Sequence, residues 1–173
     1  MLPAMFGLSS APSVEFLPPE DARAWVADGL RDHVARLGEP ARAPRLVTTT
    51  SVAKPRDLDD LFELMCGVQA EVGQADVELT LLELDPADPP SRHGYEPLGD
   101  PTGQLVHTFV KRDELLVVAV PAIFKVTELV LGSVARELGR IAIHRAGGHQ
   151  VEAADREGDA ELAAIVLGLG VWV

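Results

Sequence analysis

The chain has a single cysteine, so it can form no internal disulfide and no C-x-x-C redox pair, and nothing in it asks for an oxidising compartment. That residue, Cys66, follows Met65 in an apolar-periodic segment and reads as a small buried hydrophobe. Positive charge is also scarce. Fifteen Lys and Arg against 27 Asp and Glu leave a formal net charge of -12, which repels phosphate backbones and anionic lipid surfaces, so neither nucleic acid nor membrane is expected as a partner. No apolar run reaches the ~20 residues of a membrane span. Met1 to Phe6 has no positively charged leader. A cytoplasmic protein is the expectation. Nucleophile elbows of the G-x-S-x-G type, phosphate-cradling glycine loops, internal repeats and low-complexity tracts are all missing.

What remains is enough for a packed core. At 173 residues, with 47% hydrophobic and 24% charged residues, the chain suits one domain, 1–173, whose first residues, 1–13, form a proline-broken N-terminal arm. Val14 to Leu17 reads as a short strand. After Pro18-Pro19-Glu20-Asp21, the spacing of Ala22, Trp25, Val26, Leu30, Val34 and Leu37 predicts a helix with Trp25 in the core. Arg45 to Thr50 is β-branched enough for a strand. A helix follows from Pro55–Asp57 to Gly73, then an alternating strand over Val77–Leu84 and an exposed acidic loop from Asp85 to Pro90. Gln104–Val110 and Leu115–Val120 read as a hairpin. Pro121–Arg145 is helical up to Gly147-Gly148, and a last helix runs from Glu157 to the end. This order predicts an α+β fold.

One stretch carries chemistry by its spacing. In Val134-Ala135-Arg136-Glu137-Leu138-Gly139-Arg140-Ile141-Ala142-Ile143-His144, two arginines flank a glutamate one helical turn apart. Arg136, Arg140 and His144 fall within a narrow arc, Glu137 lies beside them, and Val130, Val134, Leu138 and Ile141 form the adjoining apolar stripe. This frame resembles H-E-x-x-H, in which two histidines hold zinc and the glutamate activates its water. The stretch is similar to the A-H-E-L-G-H-x-x-x-H helix of compact zincin-like metallopeptidases, and Glu157 to Gly170 resembles the helix bearing their third, acidic ligand. The resemblance implies a zincin-like domain with a small mixed or antiparallel sheet packed against the R-E-x-x-R helix and a C-terminal helix. It also puts Glu157 or Glu161 at the acidic ligand position.

Arginine has no lone pair to give a metal. No catalytic residue, metal or other cofactor is therefore expected at Arg136, Glu137 and Arg140. Two guanidinium charges equal the +2 of a zinc ion, so Arg136 or Arg140 paired with Glu157 or Glu161 would join the helices that metal joins in the resembled proteins. Glu137, between cations and without a polarised water, is expected to be ionised and weakly basic. The leading expectation is an inactive zincin-like protein acting through protein binding, as regulator, inhibitor or immunity-type partner. The alternative is a metal-dependent hydrolase using His144, His149, Glu157 and Glu161. His33, His93 and His107 have no companions at ligand spacing and read as structural or surface residues.

Overall fold

A computed structural model describes residues 18–47, 54–126 and 129–173. The N-terminal arm and the strand expected at Val14–Leu17 lie outside these residues. Helix α1 spans Glu20–Arg36 and a short α2 Glu39–Arg42, with Asp57 capping α3, Leu58–Glu71, by accepting from the Asp60 amide at 2.9 Å. Strand β1 is Leu79–Glu83, β2 Glu96–Pro97, β3 Val106–Lys111 and β4 Glu114–Ala119. Helices α4, Val130–Arg145, and α5, Arg156–Ala164, complete the set. The result is a mixed α+β fold.

The sheet runs β1-β4-β3-β2. The β3–β4 hairpin is antiparallel and turns at Arg112 and Asp113, with Arg112 at φ 57°. β1 lies parallel to β4, which requires the long connection through Pro90 and β2. Register places Val106, Thr108 and Val110 on the same face as Ala119, Val117 and Leu115. That face packs with Leu61, Leu64, Met65 and Val68 of α3 and Val130, Val134, Leu138 and Ile141 of α4 to form the main core. The helical stripe read from sequence is therefore the stripe that docks. Each such side chain taken from water contributes roughly 1.5–3 kcal/mol.

Several expectations change. Trp25 is 37% exposed, because α1 turns His33 inward and lays the indole across Gly158, where an added Cβ would stand 2.9 Å from the ring. Cys66 is exposed rather than buried. Met65 already occupies the inward position of α3, and a step of 100° carries the next residue outward, onto the face of the half-exposed Phe62. Arg45 to Val47 form no strand; the Val47 amide instead donates to the Gly168 carbonyl at 3.0 Å, and residues 48–50 lie outside the description. The helix expected from Pro121 begins as a 3-10 turn, Pro121–Lys125, and α4 starts only at Val130. The last helix gives way to a π turn, Ile165–Leu169, where Gly168 takes φ 94° with its α-carbon pressed on the Arg45 carbonyl. Trp172 packs on the core, while Val171 and Val173 stay exposed.

Candidate functional site

Helix α4 lies against β3, and α5 packs along α4. The two helices touch backbone to backbone at Gly139. A Cβ there would meet the Ala160 carbonyl and stand 2.9 Å from the Ala164 amide. That close approach brings the first turn of α5 under the arginine face of α4. Arg140 is 0% exposed. Its terminal nitrogens make a two-pronged pair with Glu157, Nη1 to Oε1 at 3.0 Å and Nη2 to Oε2 at 2.9 Å. Its Nε donates to both oxygens of Glu137 at 3.3 Å.

The remaining contacts explain why so much charge can be buried here. Register extends the β2–β3 ladder one step beyond Pro97, so Leu98 and Thr108 should exchange two backbone bonds. Only one forms, from the Leu98 amide to the Thr108 carbonyl at 2.9 Å. For the other, the Thr108 amide donates to Glu137 Oε2 at 2.8 Å, and the Leu98 carbonyl accepts from Arg140 Nη1 at 2.8 Å. The Glu137–Arg140 pair is thus inserted into the sheet in place of one ladder bond. Gly99 makes the space: at φ 101° it swings the chain away from β3, and a Cβ on it would collide with Arg140 Nη1. The Thr108 hydroxyl adds a further donor to Glu137 at 2.7 Å.

Burial raises the Glu137 carboxyl above its ordinary pKa, against the pull of Arg140 and Thr108. This corrects the expectation of a weakly basic group. All of its partners are nevertheless donors, so the hydrogen bonds serve the carboxylate. Glu157 moves the other way: burial opposes ionisation, but the bonds and charge of Arg140, with Arg136 behind them, hold its pKa below the usual value. Arg136 sits at the mouth of the cluster. It donates to Gln104 Oε1 at 2.8 Å and pairs with Glu161 at 3.2 Å, its side chain 27% exposed and that of Glu161 43%. Gln104 closes the ring by donating to Glu157 Oε2 at 3.3 Å.

His107 is buried beside this cluster with neither ring nitrogen hydrogen-bonded, its Nδ1 4.0 Å from Glu137 Oε1. Burial, with the charge of Arg140 second, pushes it down to about 4. The unfolded chain, near the ordinary ~6.5, takes up that proton first as pH falls. The contribution is complete above pH ~6.5 and is lost towards pH 4, up to about 3 kcal/mol. Urea titrations at neutral pH and at about pH 5 should show this loss in the native chain and a much smaller one in His107→Gln; equal losses would dissociate His107 from the effect.

The other candidate ligands are dispersed. His149 Nδ1 lies 2.6 Å from Asp159 Oδ2, and His33 Nε2 lies 2.7 Å from Asp159 Oδ1, so one buried carboxylate joins α1, α5 and the segment after α4. Burial opposes ionisation of Asp159, but the bonds from His149 and His33 outweigh it and hold the group well below the carboxylate range. His144 is half-buried near the C-terminal end of α4, in a hollow with Asp76, Glu78 and Asp113. His93 is exposed and pairs with Asp88 at 2.9 Å. Among the described residues, no group of three or more His, Cys, Asp or Glu side chains is arranged to hold a metal ion, so the residues at this helix do not fit a zinc site. The chain matches no family model, no curated protein and no solved structure. No helix among the described residues is long and apolar enough to cross a membrane.

Sequence reasoning missed Thr108, Leu98, Gly99 and Asp159. Leu98 contributes only a backbone carbonyl, which no residue type announces. Gly99 was the one available signal, as a glycine between Leu98 and Asp100-Pro101 where the chain must turn sharply.

Proposed function

We propose that the chain is a zincin-like domain without a working metal site, acting by binding another protein as a regulator, inhibitor or immunity-type partner. The observation that supports the inactive reading best is the guanidinium of Arg140. It is buried at a position equivalent to a histidine ligand in the resembled motif, and it takes up the acidic side chain, Glu157, that would otherwise be free for a cation. Its donors are met by two carboxylates and a carbonyl. Glu137, the equivalent of the general base, is turned into the sheet to hold Thr108 and has no open side towards a substrate. A protein partner is supported by the acidic balance of the chain and by large apolar side chains left half-exposed, Leu46 at 59% and Leu82 at 50% among them.

The test is an assay of the purified chain against unfolded casein and quenched fluorogenic peptides, with zinc added and with chelator. The expected result is no turnover and a melting temperature that chelator does not change, since folding here draws on no metal free energy. Chelator-sensitive hydrolysis would overturn the proposal and favour the hydrolase built on His144, His149, Glu157 and Glu161.

A further inference from the structure

Resting on the protein-binding reading, we infer that the outer edge of β1 receives an extended, basic segment of a partner protein as an added strand. Among the described residues, β1 pairs with β4 and with no other strand. The Leu84 amide donates to the Ala119 carbonyl, and a parallel ladder uses alternate residues, so Thr80 and Leu82 direct their backbone groups to β4. Leu79, Leu81 and Glu83 then direct theirs outward. Edge strands of this kind are ordinarily blunted by lysine, proline or a bulge. β1, Leu79-Thr80-Leu81-Leu82-Glu83, has none of these, and Leu82 is 50% exposed.

A groove of about 500 Å³ lies at the end of the sheet where β1 and β4 begin, between Phe62 and Cys66 of α3, Val77 to Thr80, and the hairpin turn up to Leu115, so a strand added to β1 and running past its start would reach it. Its floor is apolar at Leu79 and Leu115. The charged side chains that line it are Glu78, Asp113 and Glu114, all acidic. Two cations flank the rim at the hairpin turn, Lys111, opposite Glu114 and over the Tyr95 ring, and Arg112, next to Asp113, while Arg145 pairs with Asp76 at 2.7 Å; with Glu78 the acids still outnumber them. An incoming strand with apolar residues at alternate positions would seat them beside Phe62 and Leu79, and lysines or arginines between them would meet the acidic rim. A second copy of this chain is a poor occupant, because pairing β1 with itself would bring Glu78 and Glu83 of two chains together under a net charge of -12 on each.

Cys66 supplies the readout, since it is the only cysteine and lines the groove. A fluorescent peptide of alternating lysine and valine is titrated into the intact chain by anisotropy, and the rate of Cys66 modification by a thiol reagent is followed in parallel. Saturable binding is expected, with Cys66 modification slowed about fivefold or more at saturation; the exposed double substitution Glu78→Lys with Asp113→Lys should weaken binding about tenfold or more. A glutamate–valine peptide should not bind. Nor should a lysine–valine peptide N-methylated at alternate residues, which keeps the charge but loses the strand's donors. Equal binding of the methylated peptide, binding that leaves Cys66 unprotected, or dimerisation with no peptide binding would each overturn the inference. Mass analysis of the recovered peptide keeps the two readings apart, because metal-dependent cleavage would refute the inactive-domain reading without touching the docking site.

Discussion

Arg140→Met should destabilise the protein by about 3–5 kcal/mol, the range for removing one partner of a buried, hydrogen-bonded ion pair. The loss arises less from the bonds given up than from what is left behind: Glu137, 1% exposed, remains with no cation, and the Leu98 carbonyl loses its donor. Glu157→Gln should cost about 1–2 kcal/mol, because that carboxylate is partly solvated and Arg140 keeps Glu137 and the carbonyl. Arg136→Met, at the exposed pair with Glu161, should cost about 0–1 kcal/mol. Chemical denaturation of the three variants, with the Arg140–Glu157 double-mutant cycle, measures the ordering directly. If Arg140→Met proved as mild as Arg136→Met, the inserted pair would have no structural weight.

Gly139→Ala should be nearly as damaging, about 3 kcal/mol or more, although alanine is the better helix former by about 1 kcal/mol. The added methyl meets backbone of α5, the Ala160 carbonyl and the Ala164 amide, which cannot rotate aside as a side chain can. Relief requires α5 to move away from α4 and so to withdraw Glu157 from Arg140. A melt of Gly139→Ala alone, and again with Arg140→Met, should show the two losses to be less than additive, since the first has already loosened the contact removed by the second. Full additivity would mean that the helix contact and the ion cluster are independent.

The arginine face of α4 was legible from sequence because a spacing of four residues leaves few choices for where Arg136 and Arg140 can point. The strand hairpin was equally legible, as two β-prone segments on either side of the polar Lys111-Arg112-Asp113-Glu114. Trp25 and Cys66 were misread for one reason. Periodicity shows that a helix has an apolar side, but not whether a neighbour covers all of it, and α1 and α3 each leave part of that side open. The partners of Glu137 and Asp159 were out of reach for another. Thr108 lies 29 residues before Glu137, and His33 lies 126 residues before Asp159; only the folded chain brings them together. Burial of Glu137 against the sheet, rather than in a cleft, likewise depended on the early end of β2 after Pro97, which no local pattern marks.

A ladder bond carried by two side chains of a helix also alters how the domain comes apart. In an ordinary sheet, a strand end can fray while a helix resting on it stays put. Here the Leu98 carbonyl and the Thr108 amide lose their partners when α4 lifts, and α4 exposes two charges when that ladder opens, so neither event leaves the other region intact. The β2–β3 end, α4 and the first turn of α5 therefore form a single opening unit, and partial unfolding that frees one of them while sparing the rest is disfavoured.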